Sequence, residues 1–129
     1  MDIRLILVQA FVILFAITVH EAAHAWTASR FGDPTAAALG RVSLNPLAHI
    51  DLFGTIIFPL VLILLKQPVF GWAKPVPYNP LNLRHPRKGG LWISFAGPIA
   101  NIATATAAVL IFQVIKLAGA RIPMSSLFS

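Results

Sequence analysis

The chain has 129 residues, of which 57% are hydrophobic and 11% charged, with ten Lys or Arg against four Asp or Glu. Soluble domains carry about 25% charged residues, and here the apolar residues fall in long blocks, so an ordinary water-soluble globule is excluded. So are a disordered chain and, with no cysteine, a disulfide scaffold. The net charge of +6 is spread singly between apolar blocks, which is the pattern of basic flanks around membrane spans and not of a nucleic-acid-binding stripe.

Taken in chain order, the first apolar block runs over residues 5–19 and continues as a helix to about Trp26, long enough to span a bilayer. A cleaved signal peptide is disfavoured there, because His20, Glu21 and His24 crowd the small-residue site around Ala23 and Ala25. Residues 32–51 hold Gly32, Pro34, Gly40, Asn45 and Pro46 around an alternating stretch at 40–44, which predicts a short surface hairpin or strand. The second block, 52–65, is short for a span and carries Pro59, which predicts a kink. Residues 67–90 hold five prolines, and the run at 71–77 is extended, either as a plain linker or as a strand docked on the helices with free backbone groups. The third block, 91–117, is long enough to cross with tilt, and Gly97-Pro98 marks a bend or a starting turn. The expectation is one all-α membrane domain over residues 1–129. It has about three transmembrane helices, a short surface hairpin and a Pro-rich extended connector.

The chemistry is concentrated in His20-Glu21-Ala22-Ala23-His24. Residues four apart share a helix face, so both imidazoles reach one ion, and nitrogen ligands at about 2.0–2.1 Å suit zinc. Glu21, beside the first ligand, reaches a water at the metal and serves as general base toward a peptide carbonyl. Satisfied polar groups at a helix end are the bland alternative. A charge near a bilayer centre costs about 2.5–3.5 kcal/mol, however, so such residues are kept where they have a role.

HEAAHAW, GRVSLNPLAHIDLFGTIIFP, GWAKPVPYNP and FAGPIAN follow one another in this order. Together they resemble the site-2 protease family of intramembrane zinc metalloproteases, in its compact prokaryotic form without a PDZ domain. The resemblance covers residues 8 to about 115. It implies one Zn2+ held by His20 and His24, Glu21 as the catalytic residue, and cleavage of transmembrane segments of substrate proteins. It also implies a multi-pass protein of a prokaryotic cell membrane, with the lipid bilayer and a substrate helix as its partners. Asn101, in AGPIAN, orients substrate or backbone near the zinc or packs helices. Lys74 and Pro75 belong to a segment that contacts substrate or forms a structural turn.

One part of the family pattern is missing. The third ligand is an aspartate in an LDG-type motif on a later helix, and no such motif occurs here, so the third metal ligand is unknown. Asp33 and Asp51 have no sequence reason to reach the metal, and His49 and His85 read as interfacial or surface histidines. A catalytic zinc uses three protein ligands and water. The chain therefore reads as C-terminally incomplete, with the tail from Ile122 a loop leading onward. A catalytically inactive protein of the same fold that binds substrate helices or metal is the alternative function, and a proton-relaying transporter subunit leaves the ordered motifs unexplained. Under three spans, Arg4 shares a side with Lys66, Lys74, Arg84, Arg87 and Lys88. That places the N-terminus inside by the positive-inside rule, whereas the family resemblance implies the reverse.

Overall fold

The computed structural model describes residues 2–119. Four α-helices, α1 (Ile3–Arg30), α2 (Thr35–Ala38), α3 (Phe58–Leu64) and α4 (Pro86–Leu117), are joined by turns and extended chain, and no strand occurs among the described residues. The tail from Ile122 lies outside the described residues.

Two helices, α1 and α4, are long and apolar enough to cross a membrane. At about 1.5 Å per residue they reach about 42 and 48 Å, more than the hydrocarbon core of about 30 Å. The Asp2 side chain caps α1 by accepting from the Arg4 N–H at 2.9 Å. Outward positions such as Leu7, Phe11, Ile102 and Leu110 are exposed apolar side chains. The buried stripe of α1 is small, with Thr18, Ala22, Ala25 and Ala28, and meets a stripe on α4 of Gly89, Ile93 and Gly97. Small side chains let the two backbones approach closely, the usual device where lipid removes any hydrophobic drive between helices. A knot of Ala28, Leu83 and Ile93, with Phe31 against it, closes the end where α1 stops and α4 starts. α4 begins at Pro86, whose missing N–H costs nothing in a first turn. It continues through Gly97-Pro98, so that pair is no starting turn. Pro98 leaves the Ser94 carbonyl without its helical donor.

The polypeptide between the long helices is fixed by buried polar latches. Asp33 is fully buried, and its carboxylate accepts from the Thr35 N–H (3.1 Å), the Thr35 hydroxyl, the Asn79 N–H (2.6 Å) and the Asn82 amide (3.1 Å). Burial pushes the Asp33 carboxyl up, but these donors outweigh it and hold it below its ordinary value. Gly32, at φ +112°, turns the chain there, and a Cβ would sit 3.0 Å from the Asn82 carbonyl oxygen.

The hairpin expected at 40–44 does not form. Gly40, at φ +73°, ends the α2 turn, and the Arg41 guanidinium, not a backbone ladder, takes up the facing peptide carbonyls of Lys74 and Pro75.

The second apolar block is not one long helix. It is a π-helical turn, Leu52–Ile57, capped by Asp51 through the Gly54 N–H, followed by the seven residues of α3. In the register of that turn residue 59 would donate to Gly54. Being proline it cannot, and the Gly54 carbonyl accepts from the Trp72 N–H at 3.0 Å instead. The Thr55 hydroxyl donates to the Trp72 carbonyl at 2.7 Å, and the Lys74 N–H donates to the His49 carbonyl at 2.9 Å. Any side chain at Gly54 would collide with Trp72, and any at Gly71 with the Gly54 carbonyl. Residues 70–74 thus retrace 58–49 in the opposite direction, with Phe58 against Phe70 and Trp72. The Pro-rich connector is extended chain docked on the second apolar block, and it closes a helix-out, extended-back hairpin. About 20 Å of helix at 1.5 Å per residue, or less in the π turn, falls short of a bilayer, so two helices rather than three have spanning length.

Candidate metal centre

His20 and His24 stand one turn apart in the last third of α1, and the ring Nε2 atoms face each other at 3.0 Å with the ring planes at 80°. Two nitrogens on one tetrahedral zinc, each about 2.0–2.1 Å away, are about 3.3 Å apart, so the pair converges as two ligands of one ion would. The far side of each ring is held by α4. The His24 Nδ1–H donates to the Ile93 carbonyl at 2.5 Å, which places the proton on Nδ1 and leaves the Nε2 lone pair free.

Against His20, the Asn101 Nδ2 lies 3.2 Å from Nδ1, while Asn101 Oδ1 is buried without a partner. Amide nitrogen and oxygen are assigned by the hydrogen bonds they make. A half-turn of the amide gives Oδ1 an Nδ1–H to accept and leaves Nε2 of His20 unprotonated as well. Two lone pairs 3.0 Å apart repel, so the arrangement calls for a proton or a cation between them. Gly97 makes room for that pairing: a Cβ there would fall 2.5–2.6 Å from the Cε1 and Nε2 atoms of His20 and from Nε2 of His24. Ile93, Gly97 and Asn101 recur every four residues, so one face of α4 supplies a carbonyl, a gap and an amide to the two rings.

Glu21 and His24 open onto a cavity of about 280 Å³, also lined by Pro75, Val76, Tyr78, Ile93 and Ser94. The docked connector therefore forms one wall and α4 the other. Of the two connector residues singled out from the sequence, Pro75 lines the cavity, whereas Lys74 contributes its backbone to the hairpin and to Arg41. Val76 and Tyr78 belong to the GWAKPVPYNP segment without having been singled out in it, and Ser94 and the Ile93 carbonyl carried no sequence signal. Gly97 had one, as the small residue before a proline inside an apolar helix.

His49, read as an interfacial or surface histidine, is buried. Its Nε2–H donates to the Ser43 carbonyl at 2.8 Å and its Nδ1 faces Arg41 at 3.4 Å, so both ring nitrogens are engaged away from the metal. His85 is exposed at the start of α4, and Asp51 caps the π turn. Among the described residues no group of three His, Cys, Asp or Glu could hold a metal ion. The donors present fit zinc as two ligands and leave the third to be supplied.

The chain is 45% identical over 93 residues to a Bacillus subtilis (strain 168) protein named "Putative zinc metalloprotease YwhC", covering 72% of this chain and 39% of that one. It is 32% identical over 92 residues to "Putative zinc metalloprotease Rip2" of Mycolicibacterium smegmatis, covering 71% of this chain and 34% of that protein. Both are homologues of this chain. Their names support a zinc metalloprotease family for it. The chain spans between a third and two fifths of the length of these curated relatives. No family model matches the chain, and no solved structure matches it.

Proposed function

We propose that this chain forms the HExxH half of an intramembrane zinc endopeptidase of the site-2 protease type, which hydrolyses peptide bonds in transmembrane segments of substrate proteins. The observation that carries the reading is the convergence of the His20 and His24 Nε2 atoms beside Glu21 at the mouth of a cavity between two helices of spanning length. One Zn2+ is held by His20, His24 and a third ligand from outside residues 2–119. The relatives' greater length gives such a ligand a source. When bound, zinc acidifies water and polarises a carbonyl.

Glu21 takes the proton of the attacking water and delivers it to the leaving amide nitrogen. The Ile93 carbonyl and Asn101 hold the two imidazoles in the tautomer that ligates. A substrate helix must unwind to present a carbonyl, which frees backbone groups that need partners in a membrane. The extended wall at Val76 and Tyr78 offers such partners, because their backbone groups make no intrachain hydrogen bond among the described residues. The presence of only two ligands among those residues favours, as a second reading, a protein that binds metal or substrate helices without cutting.

The two readings separate in membranes containing the full-length protein, zinc and a candidate substrate helix. Cleavage that disappears in Glu21→Gln while zinc stays bound supports the protease. Equal cleavage by Glu21→Gln sinks the mechanism, and zinc binding without cleavage by the unmodified protein supports the non-catalytic reading.

A further inference from the structure

The segment at 40–49 has no part in the chemistry above, yet it buries the guanidinium of Arg41, which is only 3% exposed. Its Nη2 donates to the Lys74 carbonyl at 2.6 Å, its Nη1 donates to the Pro75 carbonyl at 3.0 Å, and Nη2 faces His49 Nδ1 at 3.4 Å. Its Nε–H is buried without a partner. None of these partners is a carboxylate, so the cation is held by neutral acceptors at the cost of one unmet donor. Burying a charge in that way is a poor route to stability alone. His49 is set for the contact, because donation from Nε2 to the Ser43 carbonyl leaves its Nδ1 as an acceptor. The two carbonyls that Arg41 grips immediately precede the part of the connector that walls the Glu21 and His24 cavity.

We infer that Arg41, set by His49, is a positioning residue that clamps the Lys74–Pro75 backbone and so holds the Pro75, Val76 and Tyr78 wall against the candidate catalytic cavity. The planar guanidinium reaches two carbonyls at once, which a lysine ammonium does with less geometric definition. Burial pushes Arg41 below its ordinary value and the nearby Glu21 charge pushes it back up, which is consistent with a place beside the cavity. The inference rests on the hydrolase reading for its meaning, but the position of the wall can be measured without zinc or substrate.

These 129 residues hold no cysteine, so once any cysteine elsewhere in the full-length protein is replaced by serine, a Val76→Cys, Ser94→Cys pair across the cavity reports that position through a short bismaleimide in lipid nanodiscs. Arg41→Gln is expected to lower the crosslinking yield about tenfold or more, as befits the loss of charge-assisted hydrogen bonds. Arg41→Lys should restore part of it, and cobalt uptake through His20 and His24 should be unchanged. With a fluorescein-labelled single-transmembrane-helix peptide in the same nanodiscs as the probe, KM should rise more than kcat falls. An unchanged crosslinking yield in Arg41→Gln overturns the inference, as does equal loss of crosslinking and cobalt uptake, which marks general unfolding. If Arg41→Gln does not accumulate, His49→Gln, which leaves the guanidinium in place, should lower the yield by a smaller factor, and no change there also overturns it. Failure of cleavage or of metal uptake in the unmodified protein counts against the hydrolase reading and leaves the crosslinking result intact.

Discussion

At the scale of single residues, two positions turn geometry into sharp expectations. Gly97→Ala gains up to about 1 kcal/mol of helix propensity but places a methyl group 2.5–2.6 Å from both imidazoles. Overpacking of that kind costs about 1–3 kcal/mol, and the two rings that must move are the metal-binding ones. Cobalt or zinc affinity is therefore expected to fall in Gly97→Ala while the helices still associate, as read by titration and by size-exclusion chromatography. Asp33 is the second position. Its folded value is held down by four donors, so its contribution is present above the unfolded value of about 3.9 and is lost as pH falls through the lower folded value. Asp33→Asn should destabilise the protein by about 1.5–3 kcal/mol at pH 7, the range for hydrogen bonds to a charged group. The difference from the unmodified protein should shrink in thermal melts as pH falls through the lowered folded value of Asp33.

At the scale of elements, the decisive object is the hairpin of residues 52–72. α1 and α4 run antiparallel, since His24 meets Ile93 while His20, one turn earlier, meets Asn101 eight residues later. The end of α1 and the start of α4 are also tied directly, by donation from the Arg84 N–H to the Phe31 carbonyl. Polypeptide that leaves one end of that pair and returns to the same end crosses a membrane an even number of times. The docking of Trp72 on Gly54 shows how it returns. A re-entrant hairpin is expected, the Gly54 and His49 carbonyls at its base engaged by N–H groups of the returning segment. In cells, a single cysteine at Gln67, near the hairpin tip, should resist a membrane-impermeant maleimide added from the side opposite Leu81. Full labelling from that opposite side would overturn the re-entrant reading and establish two further crossings, one out and one back.

At the scale of the whole molecule, this parity redistributes the charges. Arg30, Arg41, Lys74, Arg84, Arg87 and Lys88 gather at the end where α1 stops, Lys66 sits at the hairpin tip, and Arg4 and Lys116 mark the other end among the described residues. By the positive-inside rule the HExxH end is then expected in the cytosol, as the family resemblance also implies and against the count made on three spans. In intact bacteria made to express the protein, a cysteine at Leu117 should react with the impermeant reagent and one at Leu81 should react only after the membrane is opened. The reverse pattern would falsify this orientation. Both positions are highly exposed, so accessibility reports the side of the membrane and not burial.

Much of this was written locally. His20, Glu21 and His24 are legible because a helix places residues four apart on one face whatever surrounds it, and the two long spans are legible because hydrophobic length is a one-dimensional property. The Pro-rich connector was extended for the same reason, since proline fixes its own backbone and that of its neighbour. What tertiary structure alone decided is which distant groups meet. The Ile93 carbonyl is invisible in a sequence because every residue has one. Arg41 reads as part of a surface hairpin and His49 as an interfacial or surface histidine until the carbonyls of Lys74 and Pro75 arrive beside Arg41, and the 40–44 stretch has the alternation of a strand but spends the Arg41 side chain where a ladder would have formed. The second apolar block has a spanning composition. Its role as a hairpin depends on Pro59 failing to donate to Gly54 and on Trp72, eighteen residues downstream of Gly54, doing so instead. Helix faces and spans follow from bonds near in sequence, whereas topology and the walls of the site follow from hydrogen bonds between residues that the sequence holds far apart.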